Sequence, residues 1–223
     1  MSLHTKIRIR NEIVSIFPKL AELREHLNLL RQSFVWRKKG WQVPLPHLVK
    51  RAILKAEALR IQAEIFVETG TFLGDTPWFM RDAFRQIYSI EVEPTLARLA
   101  RHRFRKFPMI KVVEGDSSNK LRELGAQVDG PSLVWLDGHY SAGITGRGAK
   151  DCPVWKELEA IAELWKWPVS IFIDDARCFG QSGEYSCYPP IGQIRDYAAR
   201  RFPNHSFSIE NDIIMLKHFS GRH

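Results

Sequence analysis

The chain has little cysteine. Among its 223 residues there are three, Cys152, Cys178 and Cys187. An odd number without C-x-x-C spacing argues against a zinc site and suits a reducing, cytoplasmic compartment. No apolar run approaches the ~20 residues that a membrane-spanning helix needs. The opening Met1-Ser2-Leu3-His4-Thr5-Lys6 is not followed by an apolar signal core, which argues against secretion. Internal repeats and low-complexity segments are also absent. What remains is an ordinary soluble composition, 44% hydrophobic and 26% charged, long enough for one domain plus an extension.

Acids are outnumbered, 25 against 33 lysines and arginines, for a net charge of +8. Such a balance raises the question of an anionic partner, nucleic acid included. The basic residues are dispersed, however. Local groups occur at Lys6/Arg8/Arg10, at Arg37-Lys38-Lys39 and along Arg98–Lys106. Solvated helix faces and loops are the plainer account of them.

A further absence concerns glycine. Ile65-Phe66-Val67-Glu68-Thr69-Gly70-Thr71-Phe72-Leu73-Gly74-Asp75 reads as a buried strand, an acid, a glycine turn and a helix start. This is how an α/β sheet presents a nucleotide-like ligand at the carboxyl end of its first strand. A dinucleotide fingerprint, G-x-G-x-x-G, needs two further glycines after Gly70, and those places hold Phe72 and Asp75. Glu68 would also repel a pyrophosphate. A ribose-bearing ligand with a cationic, amino-acid-like tail suits it better, and S-adenosylmethionine (SAM) is such a ligand. Glu91 closes the next apolar run, about 20 residues beyond Gly70, the distance at which these folds set a carboxylate on a ribose hydroxyl.

Here the residues carry a resemblance. Glu68-x-Gly70-x-x-x-Gly74 resembles the first motif of class I SAM-dependent methyltransferases, and Ser89-Ile90-Glu91-Val92-Glu93-Pro94 the second. Val112–Ser117 is similar to the third and Leu133–Ser141 to the fourth. The series most resembles a group of small methyltransferases with E-T-G-T, L-D-G-H-Y-S and I-D-D-A-R signatures, over residues 60–217. The resemblance implies SAM as cofactor, held by Glu68, Gly70, Thr71, Gly74, Glu91, Asp116, Ser117 and Asp137. It implies methyl transfer to a small hydroxylated acceptor such as a sugar, a glycolipid head group or a natural product. A nucleic-acid methyltransferase and a non-catalytic binding module are the competing readings. The first lacks its [D/N/S]-P-P-[Y/F/W] motif after the fourth strand, where Asp137-Gly138-His139-Tyr140 stands. Intact acids at Glu68, Glu91 and Asp116 count against the second.

Asp137 ends the fourth apolar run and Asp174-Asp175 the fifth. Three carboxylates on neighbouring strand ends suit Mg²⁺ or another hard divalent ion, and the pattern is similar to metal-dependent O-methyltransferases. The alternative is that Asp174 or Asp175 caps a turn or pairs with Arg177. His139 is placed to take an acceptor proton near neutral pH, with Asp137 beside it. Tyr140 and Arg177 are candidate acceptor contacts, Arg177 for a carboxylate or phosphate. The stretch 138–151, with Gly143, Gly146 and Gly148, reads as a lid or a long connection. Asp151 is a helix cap before Pro153. The tryptophans Trp78, Trp135, Trp155, Trp165 and Trp167 read as packing residues.

The organisation follows from periodicity. Ile13, Val14, Phe17, Leu20, Leu23, Leu27 and Leu30 give a helix over 7–34 with Pro18 inside, a linker follows over 36–46, and a second helix spans 47–63. Strands are expected near 65–69, 87–91, 110–114, 132–137 and 169–174. Helices are expected near 75–85, 94–106, 117–124, 153–165 and 190–202. Glu210-Asn211-Asp212 turns a last strand pair. The expectation is a Rossmann-like, doubly wound α/β sheet, mostly parallel with a C-terminal antiparallel hairpin. Residues 1–60 form an N-terminal helical extension and 61–223 the SAM-binding domain. The extension covers the acceptor, makes a homodimer or simply packs on the sheet.

Overall fold

The computed structural model describes residues 18–38, 40, 43–138 and 152–219. Short β-branched and aromatic runs alternate with helices from Ile65 onward, and they assemble into one seven-stranded sheet. The strands are β1 (Ile65–Thr69), β2 (Gln86–Glu91), β3 (Ile110–Glu114), β4 (Ser132–Leu136), β5 (Val169–Ile173), β6 (His205–Glu210) and β7 (Ile213–His218). Their order is β3-β2-β1-β4-β5-β7-β6. Strands β1 to β5 pair in parallel, whereas β7 runs antiparallel to both β5 and β6. The expected terminal hairpin is thus present. Asn211 and Asp212, both at positive φ, form its turn, as a two-residue hairpin turn requires.

The helices are α1 (Pro18–Lys38), α2 (His47–Arg60), α3 (Asp75–Met80), α4 (Pro94–Phe104), α5 (Ser117–Gly125), α6 (Val154–Leu164) and α7 (Ile191–Arg201). Three depart from expectation. Helix α1 runs through Trp36 to Lys38, into the expected linker, while the part of the expected helix before Pro18 lies outside the described residues. Helix α3 stops at Met80 instead of 85, and α2 at Arg60 instead of 63.

Side chains alternate across the strands and build a core on each face. Ile65, Val67, Ile90, Val134, Leu136 and Ile171 face one cluster, which Leu121, Leu158, Ile161 and Ile194 of the helices complete. Phe66, Ile87, Leu133, Trp135, Phe172 and Met215 face the other, with Leu54 and Ala58 of α2, Trp78 and Phe104. Helix α2, expected in the extension, therefore supplies core to the sheet. Trp78 and Trp135 are buried and Trp155 and Trp165 pack at the margin, but Trp167 is 47% exposed, unlike the packing residue expected.

Alternation also aims the acids. Ser89, Glu68, Asp137 and Asp174 continue the odd-even phase of Ile87, Phe66, Trp135 and Phe172, so all four belong to the face that carries α2.

Candidate active site

The carboxyl edge of β1 begins with a close approach of two backbones. Gly70 has φ +87, and a Cβ there would lie 2.6 Å from the Asp137 carbonyl oxygen. Thr69 Oγ1 accepts the N–H groups of Asp137 (3.2 Å) and Gly138 (3.1 Å), which locks the ends of β1 and β4 together. Gly74, at φ +74, lies against the Phe104 ring and leads into α3. Arg103, buried on α4, reaches back to the Leu73 carbonyl and to Asp75 Oδ1 (2.7 Å), fixing the far end of the loop.

Glu91 stands at the end of β2. Its Oε2 accepts the N–H of Phe72 (2.8 Å) and its Oε1 that of Glu93 (2.9 Å). Burial pushes its carboxyl up, against the pull of these N–H groups. A carboxylate offers about four acceptor positions, and the N–H groups of Phe72, Glu93 and Val92 bear on this one, so one remains for a ribose hydroxyl. The set of residues therefore fits SAM on this side. Asp116 caps α5 by accepting the Asn119 N–H (3.2 Å), and Ser117 opens that helix.

Glu68 is held by protein partners. It is 1% exposed, and its Oε1 accepts the Ser89 hydroxyl (2.5 Å), which in turn lies 2.6 Å from Thr71 Oγ1. Burial holds it well above the ordinary carboxylate range, with the Ser89 hydrogen bond opposing. It sits behind the glycine loop and ties β1, β2 and Thr71 into one hydrogen-bonded chain.

At the ends of β4 and β5, Asp137, Asp174 and Asp175 stand near enough to act on one another's charge, with a cation beside them. Lys50 of α2 pairs with Asp174 Oδ2 and lies 3.8 Å from Asp175 Oδ1. Asp174 Oδ1 accepts the Asp175 N–H (2.9 Å). Asp175 Oδ1 is also 2.9 Å from Arg177 Nη1, and Arg177 bonds Asp212 as well. Burial and then the Asp174 charge hold Asp137 well above the usual carboxylate range, with Lys50 opposing. Burial alone would lower Lys50, but the charge and hydrogen bond of Asp174, with Asp137 and Asp175, carry it above its ordinary value. Among the described residues no group of three or more histidine, cysteine, aspartate or glutamate side chains is arranged to hold a metal ion. With an ammonium seated on Asp174 Oδ2 and near Asp175 Oδ1, the donor set does not fit Mg²⁺. The pairing of Asp175 with Arg177 is the alternative weighed from the sequence.

His139, Tyr140, Asp151 and the glycine-rich stretch 139–151 lie outside the described residues. Sequence reasoning passed over Lys50, His47 and Phe72. The signal for Lys50 was present: Lys50, Arg51, Leu54, Glu57 and Ala58 form the buried stripe of α2, and three of the five are charged. His47 opens α2 and, with Asn28, Arg31, Trp36 and Leu45, lines a cavity of about 610 Å³ between α1 and the residues before α2. Burial, then the charges of Arg51 and Lys50, push its imidazole down, while Asp75 and Asp175 pull it up.

No protein-family profile matches the chain, and no curated protein is significantly similar in sequence. Solved structures are similar in fold. The O-methyltransferase TomG of Streptomyces achromogenes, bound to SAM, superposes with a TM-score of 0.54 at 14% identity, over 86% of this chain and 89% of that one. The Bacillus cereus O-methyltransferase bound to its demethylated product SAH gives 0.54 at 14%, over 94% and 96%. The SAH-bound methyltransferase PaMTH1 of Podospora anserina gives 0.54 at 15%, over 92% and 97%. The chain therefore has the Rossmann-like fold of these methyltransferases, nearly end to end.

Proposed function

We propose that the protein is a SAM-dependent methyltransferase that methylates a hydroxyl of a small acceptor, a sugar, glycolipid head group or natural product. One observation carries the reading. Glu91 is held at the end of β2 by the Phe72 N–H of the glycine loop, with an acceptor position to spare, in a sheet of the order β3-β2-β1-β4-β5-β7-β6. Ligands of such sheets bind outside the carboxyl ends of the strands.

Bound SAM supplies a methyl group on a sulfonium. The chain's residues bind and orient around it. Glu91 takes a ribose hydroxyl, Asp116 and Ser117 stand at the adenine side, and the Gly70–Gly74 loop passes beneath. Glu68 and Thr71 keep that loop in place through Ser89. Asp137 begins the acceptor side, where His139 and Tyr140 follow it in sequence and Arg177 stands near. Asp137 and His139 are the groups proposed to receive the acceptor's proton. The cavity beside His47 is our choice for the body of the acceptor, and α1 and α2 would then cover it.

Calorimetric titration with SAM and SAH tests the cofactor. Micromolar binding supports the reading, and transfer of label from SAM to hydroxylated sugars or phenols completes it. Absence of binding by the folded protein overturns it.

A further inference from the structure

The gap between Asp137, Asp174 and Asp175 already holds a positive charge. We infer that Lys50 occupies the place a divalent ion would take there, so that the acceptor side works with a built-in ammonium in place of a metal. The inference deepens the reading above and rests on it for the term acceptor side. Its observations are independent of the cofactor.

Asp174 is 1% exposed and Lys50 8%. Each Asp174 oxygen has a protein partner, Oδ2 the Lys50 ammonium and Oδ1 the Asp175 N–H. The nearer Asp175 oxygen is shared between Arg177 and the Lys50 ammonium at 3.8 Å. A hard divalent ion binds oxygen lone pairs, at about 2.0–2.1 Å for Mg²⁺, and an ammonium seated among the same carboxylates competes for them and repels it. Lys50 faces Asp174 and Asp175, and Arg177, shared between Asp175 and Asp212, adds a second positive charge at the edge of the cluster without any added ion.

The placement is built in. Phase along β4 and β5 sends Asp137 and Asp174 to the face that α2 covers. Leu54 and Ala58, one and two turns beyond Lys50, are sealed into that core. Glu57, on the same stripe, accepts the Ser170 hydroxyl of β5 at 2.5 Å. The helix is thus registered against β5 at two points, Glu57 on Ser170 and Lys50 on Asp174. The Trp135 ring lies 6.0 Å from the ammonium and forms an apolar wall. An ammonium carries three donors. With one on Asp174, the others can meet an acceptor oxygen, a contact that a bound metal would otherwise make.

The test is direct binding of Mn²⁺ to the whole protein, read by electron paramagnetic resonance, with no turnover needed. Wild type should show no site tighter than millimolar. Lys50→Met should gain a micromolar site, and Lys50→Gln should gain one while keeping a hydrogen bond to Asp174. Lys50→Arg should gain none, and adding Asp174→Asn to Lys50→Met should abolish the gain. Micromolar Mn²⁺ bound by wild type and lost in Asp174→Asn overturns the inference. So does the absence of a gain in whichever of Lys50→Met and Lys50→Gln is folded by circular dichroism. If neither folds, wild type decides: an Asp174-dependent site overturns, and its absence supports. SAH titration of the same proteins separates the two readings, because lost SAH binding removes the methyltransferase assignment and leaves the Mn²⁺ result standing.

Discussion

The Phe72 N–H donates to Glu91 Oε2 at 2.8 Å, so the loop after β1 and the acid closing β2 form one unit. Phe72 itself has φ +48, and its ring is 42% exposed beside that acid. The backbone is bent there so that the N–H turns inward. Replacing Glu91 removes the proposed ribose partner and the anchor of the loop together. Glu91→Ala should weaken SAH binding by about 1.5–3 kcal/mol, roughly 10- to 150-fold, as for a hydrogen bond to a charged group. Calorimetry on the folded variant checks this, and unchanged affinity would displace Glu91 from the site.

Gly70 is expected to tolerate no side chain. At φ +87, with the Asp137 carbonyl oxygen 2.6 Å from the place a Cβ would take, Gly70→Ala must push β1 and β4 apart at their ends. A loss of more than ~1 kcal/mol is expected in denaturant unfolding. Gly192→Ala is the control. It lies within α7 with nothing within 4 Å of a Cβ, so a gain of up to ~1 kcal/mol is expected.

Glu157 of α6 is fully buried, and burial pushes its carboxyl up to about 7 from 4.5, with Ser117 and Thr69 opposing. The folded state thus holds this proton more tightly than the unfolded chain. Its contribution to stability is complete below pH 4.5, falls as pH rises to about 7, and is lost above that. The difference amounts to roughly 3 kcal/mol. Glu157→Gln should remove this part of the pH dependence, so the variant should gain on wild type between pH 5 and 8. Parallel melting curves for the two proteins would refute the idea.

Arg103 grips both the Leu73 carbonyl and Asp75 from inside the protein. Asp75→Asn should cost about 1–3 kcal/mol, because the guanidinium loses its charged partner while staying buried. It should also weaken SAH binding by loosening the loop. A variant with wild-type stability would show that the Leu73 contact alone holds the turn.

Much of the sheet was legible because strands buried on both faces leave continuous apolar runs, as in Phe66, Ile87 and Leu133, each ended by a polar residue. The hairpin was legible in Asn211-Asp212, two residues that accept positive φ. Helix ends were less so. Nothing local distinguishes Met80 from the residues after it as a stopping point, and Trp36 continues α1 where proline and glycine nearby suggested a linker. The acids at strand ends were legible one by one, but their partners were not. Ser89 beneath Glu68 and Lys50 beside Asp174 are set by phase across strands and by how α2 is registered on the sheet. A count of carboxylates therefore suggested a metal, where packing brings a lysine from more than a hundred positions away.

Strand β7 lies between β5 and β6, and Ile213, Ile214, Met215 and Leu216 are all buried. Its last residue, His218, donates its N–H to Ser170 Oγ and receives Arg60 of α2 on its carbonyl. The place next to the sheet's edge is thus filled by the strand that leaves the ribosome last among the seven. Until then β5 has an open flank and β6 has nowhere to pair, so a nascent chain stalled before residue 213 would expose a bare, apolar strand edge to chaperones and to its own copies.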